Sequence, residues 1–310
     1  MPWLGKPPAR HCVTPDVRRR AEAALGSRIR HSQPLSGGNI AQATRIATDD
    51  GRDLVVKHMV PRRQSPHPTF GTLPKATLKD EAFMLDRLRQ TGVVPVPDVV
   101  HVAPDLLILT FVDCDQEALS NTGQTALADV LAALHIHTAA RFGFDRPTPV
   151  GPVQRPNAWS EDWLSFLRDQ RLMFFGHLAQ QAGRLPDGCF AGLEKLCTQL
   201  DRWIPMNRPP SLIHGDLWIG NILFRQQRLA ALIDPATYYA DAEIELAFLP
   251  LFSGVGAAFF ERYHAHRPID PLFFEERQML YQLEPLLAHA MFFGGGYGTR
   301  VHQIVRHYGG

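Results

Sequence analysis

The stretch SLIHGDLWIGNILF, residues 211–224, is the most informative part of this sequence. Its apolar beginning predicts a strand that leads into a tight turn ending at Asp216. Asn221 follows five positions later, and a predicted hairpin then returns the chain to Asp234 at the end of the apolar residues 231–233. Three oxygen-bearing side chains should therefore meet at one edge of the structure. Such hard oxygen ligands suit Mg²⁺, which also favours phosphate oxygens.

The spacing of Asp216 and Asn221 equals that of the protein-kinase catalytic loop, where the Asp accepts the proton of the substrate hydroxyl and the Asn holds a metal ion. Asp234 then corresponds to the later carboxylate that joins the metal to the nucleotide phosphates. Two further residues lie upstream in the kinase order. Lys57, in a predicted strand, stands where the phosphate-binding lysine should lie, and Glu81, in a predicted helix, where its supporting glutamate should lie.

Each of these features taken alone has a simpler explanation. An Asp-x₄-Asn sequence is usually a turn capped by its own side chains, and a lysine on a strand or a glutamate on a helix is usually solvated. Their conjunction in the kinase order indicates catalysis. We therefore predict Asp216 as the catalytic base, Lys57 as a second catalytic residue that contacts phosphate, and Asn221 and Asp234 as the metal ligands.

The pattern of apolar residues divides the chain into two parts. Short β-rich runs cover residues 40–47, 53–60, 99–103 and 106–112. Predicted helices dominate after Asp113 and cover residues 122–140, 160–182, 188–203, 241–253 and 270–292. This order predicts an α+β, bilobal fold. The small β-rich lobe, residues 1–112, should bind the nucleotide, and the larger, mainly helical lobe, residues 113–310, should carry catalysis and substrate binding.

ATP is the expected cofactor together with Mg²⁺. A glycine turn should cover the phosphates with its backbone amides, although a glycine pair is more often a plain hairpin turn, and the segment 109–113 should meet the adenine through its backbone. The residues expected to bind the nucleotide, besides Lys57 and Glu81, are Ser36, Gly37, Gly38, Asn39, Leu109, Phe111 and Asp113.

Composition narrows the choice of partners and compartment. The chain has 310 residues, and 32 Lys+Arg against 31 Asp+Glu leave a net charge of +1, so no global field recruits nucleic acid or an anionic membrane. The longest apolar stretch, residues 246–260, is interrupted and too short for a membrane span. Four scattered cysteines without a C-x-x-C pair favour a reducing compartment, and we expect a cytoplasmic protein.

The short separation between Asp234 and the acidic helix that follows it limits the class of kinase. Only about ten residues separate Asp234 from the acidic helix at Glu243, and no Ala-Pro-Glu element follows. A phosphorylatable activation loop of protein-kinase size has no room there. We therefore expect a small chemical group as the substrate.

These motifs resemble the aminoglycoside phosphotransferase and choline kinase superfamily and, more closely, the fructosamine kinase (ketosamine-3-kinase) family. The family's HGDLWxGN appears at residues 214–221, its DPAxYYxxxExxL at 234–246 and its FGGGY at 293–297, and the resemblance spans nearly the whole chain. It implies a protein-kinase-like fold and ATP-dependent phosphorylation of the sugar 3-hydroxyl of ketosamines on lysine, a deglycation repair reaction. Ribulosamine and erythrulosamine are favoured over fructosamine, and the partner is glycated lysine, glycated protein or a small amino sugar.

The resemblance also suggests where the acceptor binds. Trp218 distinguishes the family motif and offers a flat face for a sugar, although an aromatic residue here could equally pack the lobe. His289 and Gln154 are weaker substrate candidates. Glu284 and Pro285 stand on the expected substrate side, where the family usually has an aromatic residue and a histidine.

Two alternatives remain open from the sequence. The first is a kinase for another small hydroxyl compound, such as an aminoglycoside or choline, because Asp241, Glu243 and Glu245 could line a site for a polycation. The second is a catalytically silent nucleotide-binding scaffold.

The glycines at 294–296 follow a predicted helix and are interpreted as a helix stop.

Overall fold

The computed structural model describes residues 13–35, 41–59, 77–115, 119–151 and 153–309. Four residues of the predicted nucleotide site, Ser36, Gly37, Gly38 and Asn39, lie outside these described residues. Their role in covering the phosphates stays a prediction.

Within the described residues, the N-terminal part is built on an antiparallel sheet of five strands. They are β1 (Ile29–Pro34), β2 (Ala41–Thr48), β3 (Asp53–Met59), β4 (Val99–Ala103) and β5 (Leu106–Thr110), in the spatial order β1-β2-β3-β5-β4. The central strand β3 carries Lys57, which lies opposite Ala43 on β2 and Leu107 on β5. Pairing on both sides holds the lysine backbone in place.

One helix covers each face of this sheet. Successive residues of a strand point to opposite faces, so Ile108 joins the apolar cluster under α1 (Pro15–Leu25), whereas Leu107 and Leu109 join the cluster under α2 (Leu78–Arg89). Because α2 packs on the face that carries the Lys57 side chain, it brings its own first turn close to β3.

A larger helical part follows the sheet. Its helices are α3 (Asn121–Leu134), α4 (Trp163–Leu167), α5 (Met173–Gln181), α6 (Cys189–Cys197), α7 (Ala242–Phe252), α8 (Ala257–His266), α9 (Gln278–Tyr281), α10 (Leu283–Phe293) and α11 (Gly296–His307). A single extended apolar cluster, which includes the buried Trp163, runs between them. The antiparallel sheet and the helical part together confirm the predicted α+β class, while a division at residues 112 and 113 stays a prediction.

Three two-stranded sheets lie among these helices in the described part of the chain. They are β6 (Thr148–Val150) with β7 (Val153–Arg155), β8 (Ser211–Ile213) with β11 (Tyr238–Ala240), and β9 (Ile222–Arg225) with β10 (Arg228–Leu232). The β9–β10 pair is the hairpin predicted between Asn221 and Asp234, and β8 is the strand predicted before the HGD turn.

Several helix boundaries differ from the predicted ones. The helix predicted over 188–203 ends at Cys197, and the helix predicted over 270–292 is divided by a π-helical turn at Phe273–Arg277. Helices α8 and α11 were not predicted. Interpreting the glycines at 294–296 as a helix stop alone was wrong, because the run also begins α11.

In the part of the chain that the structure describes, we find no helix that combines the length and the apolarity required to cross a bilayer.

Candidate active site

The catalytic loop is the turn that follows β8. The pairing of Ile213 with Tyr238 on β11 sets this turn beside Ala236. Gly215 has a φ of +83°, and a Cβ on it would collide with the carbonyl oxygen of Ala236. Only glycine combines that backbone conformation with so close an approach. The Ala236 N–H donates to the His214 carbonyl at 2.9 Å, which closes the contact between the two segments.

A buried carboxylate on α7 holds the backbone of this turn. Glu245 accepts the Gly215 N–H at 2.6 Å on Oε1 and the His214 N–H at 3.2 Å on Oε2. Its Oε2 also lies 3.0 Å from Nε2 of the buried His135, whose Nδ1 is 2.8 Å from the Tyr263 hydroxyl. Burial opposes ionisation, but the His135 hydrogen bond and neighbouring charges outweigh it and lower the pKa of Glu245. The turn is therefore clamped by an ionised group.

His214 links the loop to the chain before Asp234. Burial lowers the pKa of His214 to about 4, so the ring is neutral at physiological pH. Its Nε2 lies 3.1 Å from the Ile233 carbonyl, and its Nδ1 lies 3.3 Å from the Asp216 nitrogen. The two contacts fit a single tautomer, in which Nε2–H donates and Nδ1 accepts.

Asp216 and Asn221 meet as predicted. The Asn221 amide donates to the Asp216 carbonyl at 2.8 Å and to its Oδ2 at 3.3 Å. Desolvation, followed by the negative charge of Asp234, raises the pKa of Asp216 to about 7, which is the range that a general base requires. Between the two residues the Trp218 indole lies over Gly220, where any Cβ would overlap the ring.

Lys57 joins the sheet to the catalytic loop region. Its Nζ lies 2.6 Å from Oε1 of Glu81 on α2 and also contacts Oδ1 of Asp234. Burial opposes the charge on the ammonium, but the two carboxylates outweigh it and raise the pKa of Lys57. Asp234 has a φ of +53°, a strained conformation for a residue with a side chain. Such strain is commonly retained where it aims a functional group.

The resulting cleft fits a cation and phosphates. Lys57, Glu81, Asp216, Trp218, Asn221 and Asp234 are among its lining residues. Three carboxylates and one ammonium line the cleft, so negative charge is left uncompensated, and the charge of Asp234 adds to desolvation in raising the pKa of Asp216. No group of three or more His, Cys, Asp or Glu residues with metal-binding geometry occurs in the described ranges. A two-ligand site suits Mg²⁺, which commonly takes one or two protein carboxylates and completes its shell with phosphate and water.

The predicted adenine segment connects β5 to the helical part. The Leu109 side chain is buried under α2, and the Arg45 guanidinium lies 3.8 Å from the centre of the Phe111 ring. The Phe111 N–H donates to the Asp53 carbonyl at 3.1 Å, and Asp113 forms an ion pair with Arg225. Contact of this segment with adenine stays a prediction.

A second cavity, here called the acceptor cavity, shares Asp216 with the cleft that contains Lys57. Its lining residues include Arg155, Asp216, Tyr238, Glu245, Phe248, Glu284 and His289. His289 stacks on Phe252 with a centroid distance of 4.3 Å and an interplanar angle of 12°. Burial lowers its pKa.

The three predicted substrate residues therefore occupy different places. His289 lines the acceptor cavity, Trp218 lines the cleft that contains Lys57, and Asp216 lines both spaces. Gln154 lines neither of them and donates from Nε2 to Asp80 at the start of α2, 3.1 Å away. Of the three, Gln154 is the residue that the structure brings to neither space.

Comparison with known proteins identifies the family. The model of the family described as fructosamine kinase matches residues 14–308. The chain belongs to the fructosamine kinase family. A Synechocystis protein assigned as a ketoamine kinase is 36% identical over 289 residues, 90% of each chain. The Arabidopsis thaliana protein named protein-ribulosamine 3-kinase, chloroplastic, is 27% identical over 99% of this chain and 89% of its own length.

Solved structures identify the fold. The crystal structure of a Thermobifida fusca protein assigned as a fructosamine-3-kinase superposes with a TM-score of 0.82 at 27% identity, over 94% of this chain and 98% of that one. Macrolide and aminoglycoside phosphotransferases share the fold at lower identity. The predicted protein-kinase-like architecture and the resemblance to the fructosamine kinase family are thereby confirmed. Membership of a kinase family supports the use of ATP.

The acids proposed to line a polycation site are engaged by other residues of this fructosamine kinase family member. Asp241 binds Arg208 at 2.7 and 2.9 Å, and Glu243 binds Arg277 at 2.7 and 3.0 Å. Glu245 is bound to the catalytic loop. All three carboxylates are buried and form ion pairs or hydrogen bonds within the helical part, so they offer little charge to a ligand.

Sequence reasoning missed the polar wall of the acceptor cavity. Arg155 and Glu284 line the cavity, and Arg171 lies directly behind Glu284. In the sequence, Glu284 stands out only as a departure from the family pattern. Since the three residues are 16 to more than 100 positions apart, their spacing carries no signal. A π-helical turn at Arg168–Leu172 turns Arg171 inward, and such turns often mark functional sites.

Proposed function

We propose that this protein uses ATP and Mg²⁺ to phosphorylate the 3-hydroxyl of ketosamines, with ribulosamine or erythrulosamine preferred and fructosamine a further candidate. The observation that carries the proposal is the position of Asp216, which lines both the cleft with Lys57 and Asp234 and the acceptor cavity. A base between a phosphate site and an acceptor site is what phosphoryl transfer to a hydroxyl requires. The Arabidopsis relative named for ribulosamine supports the choice of sugar.

Each residue of the site has a distinct role in the proposed reaction. Asp216 orients the acceptor hydroxyl and accepts its proton while the new O–P bond forms and the bond from the γ-phosphorus to ADP breaks. Lys57, held by Glu81, neutralises charge on the phosphates, and Asn221 with Asp234 would hold Mg²⁺. Mg²⁺ would supply charge neutralisation at the phosphate oxygens. The Glu245 clamp keeps Asp216 in position through the loop backbone.

Two observations disfavour the alternative acceptors. The acids proposed for an aminoglycoside are bound by Arg208, Arg277 and the catalytic loop. A quaternary ammonium such as choline binds on aromatic faces, and the Tyr238 ring of the acceptor cavity is not available for one, because it already contacts the guanidinium groups of Arg155 at 4.4 Å and Arg171 at 4.1 Å. A silent scaffold is disfavoured because Lys57 and Asp216 line one cleft with both predicted metal ligands.

We further propose that glycated lysine, free or in protein, is the physiological acceptor, that the reaction serves deglycation, and that the protein acts in the cytoplasm. Its described cysteines, Cys114, Cys189 and Cys197, are all unpaired, which agrees with a reducing compartment.

The test is ATP consumption with ribulosamine, erythrulosamine, fructosamine, choline and kanamycin, each with and without EDTA. We expect Mg²⁺-dependent turnover with the ketosamines and phosphate on O3 in the ³¹P NMR spectrum of the product. The Asp216→Asn variant is the control for contaminating kinases. Turnover with choline or kanamycin alone would contradict the proposed acceptor, and turnover with none would favour a scaffold.

A further inference from the structure

A cluster of buried charges that takes no part in phosphate binding forms one wall of the acceptor cavity. Glu284 and Arg155 both line the cavity with Asp216, and their exposures are only 6% and 3%. A buried ion pair is weak evidence for stability, because its desolvation commonly cancels its Coulombic gain and apolar residues of similar volume would pack as well. Its position on the cavity wall therefore suggests recognition of a ligand.

The two oxygens of Glu284 have unequal surroundings. Oε1 lies 2.9 Å from an Arg155 terminal nitrogen and 3.2 Å from Arg171 Nε. Among the described residues, the hydrogen bond found at Oε2 is the one from the Tyr238 hydroxyl at 3.5 Å, which is at the outer limit for a hydrogen bond. A carboxylate oxygen can accept two hydrogen bonds. Oε2 thus keeps capacity to accept one from a ligand.

Both arginines are fixed by other contacts. Arg155 donates to the Ala236 carbonyl at 2.6 Å, and Arg171 donates to Asn157 Oδ1 at 2.6 Å. The Tyr238 ring lies within 4.4 Å of both guanidinium groups. Since neither arginine is free to move, the direction of the Glu284 carboxylate is set by the protein before a ligand arrives.

The rest of the cavity complements this polar wall. Phe175, Phe248, Pro285 and Ala288 supply an apolar surface. A sugar presents hydroxyls along one edge and C–H groups on its faces, so it matches a cavity with one hydrogen-bonding wall and one apolar wall.

We propose that Glu284 is a specificity-determining residue, whose Oε2 accepts a hydrogen bond from the C4 hydroxyl of the ketosamine next to the hydroxyl that Asp216 deprotonates. Arg155 and Arg171 are positioning residues that hold the carboxylate. This inference rests on the proposed function and names the acceptor hydroxyl that the cavity wall would recognise. A site built to bind a hydroxyl discriminates strongly against an acceptor that lacks it.

The test compares two enzymes with two acceptors, ribulosamine and its 4-deoxy analogue. In the wild-type protein, kcat/KM should be at least about tenfold lower for the deoxy acceptor. Glu284→Gln should lower kcat/KM for ribulosamine by a similar factor, leave KM for ATP unchanged, and change kcat/KM for the deoxy acceptor little. This non-additivity is the signature of a direct contact. If Glu284 were merely structural, Glu284→Gln would lower kcat/KM for both acceptors by the same factor, and this result would overturn the inference.

Glu243→Gln is a matched control, because Glu243 is also 6% exposed, also pairs with two arginines, Arg208 and Arg277, and is not part of the acceptor cavity wall. It should lower Tm while leaving the preference for ribulosamine unchanged.

Should Glu284→Gln fold poorly, Glu284→Asp keeps the charge but shortens the side chain and should show the same loss of preference. A wild-type protein that phosphorylates no ketosamine would overturn the proposed function and this inference together, whereas normal turnover with an unchanged preference in both variants would overturn the inference alone.

Discussion

Asp216 is the residue on which catalysis should depend most. Asp216→Asn keeps the size of the side chain but removes the proton acceptor, so we expect kcat to fall by about 10²–10⁴-fold. Affinity for ATP should change little, because the lost group acts on the acceptor and not on the nucleotide. Coupled-assay kinetics and calorimetric titration of nucleotide check both parts. Retention of most of the wild-type kcat would remove Asp216 from the role of base.

A substitution of Trp218 can distinguish contact of the indole with the substrate from packing of the catalytic loop. If the indole contacts the sugar, Trp218→Ala should raise KM for the ketosamine by about tenfold, a loss of roughly 1.4 kcal/mol, and leave KM for ATP almost unchanged. Trp203→Ala serves as the control, because Trp203 packs edge-on against Tyr308, away from the residues that line either space at Asp216. An unaltered ketosamine KM in a protein with a lowered Tm would mean that Trp218 only packs over Gly220.

The link from helix α7 to the catalytic loop rests on Glu245. Glu245→Gln replaces an acceptor-only carboxylate with an amide whose NH₂ group would meet either the Gly215 or the His214 N–H. We expect kcat to fall at least about tenfold and the free energy of unfolding to fall by about 1.5–3 kcal/mol, the cost of a lost charged hydrogen bond. Comparison with Glu243→Gln, which lies on the same helix, isolates the effect on the loop. A lower Tm with full kcat would show that the clamp is not needed for catalysis.

Two π-helical turns position arginines that straight α-helices would place elsewhere. The turns at Arg168–Leu172 and Phe273–Arg277 bring Arg171 and Arg277 into the interior, where they meet Glu284 and Glu243. Periodic analysis of the sequence predicts continuous helices through both regions and so misplaces both side chains. This is one reason why the position of Arg171 behind Glu284 could not be predicted from the sequence.

For the whole molecule, His214 should make stability depend on pH. Its pKa is lowered by burial to about 4 in the folded state, against about 6.5 in the unfolded chain, so the unfolded state binds more protons between these values. Stability is therefore retained above pH 6.5 and lost as pH falls towards 4, with a total contribution of about 3 kcal/mol.

Other groups oppose this effect, because the raised pKa of Asp216 makes the folded state bind a proton below about pH 7. The measurement therefore compares two proteins. The free energy of unfolding in urea is determined for the wild-type protein and for His214→Gln at pH 8, 6.5 and 5. The wild-type protein should lose more stability on acidification than the variant, whatever their absolute stabilities. Equal losses would show that His214 does not resist protonation.

The sequence by itself determined the α+β class, the strand of Lys57, the helix of Glu81 and the meeting of Asp216 with Asn221. These features depend on local periodicity and short spacing, which a chain carries without knowledge of its distant contacts. Only the tertiary structure decided that Glu245 clamps the loop, that Asp241 and Glu243 are neutralised by arginines, and that Arg155 and Glu284 share a cavity wall with Asp216. The reason is physical: these partners lie about 30 to 130 residues apart, and burial and long-range packing bring them together.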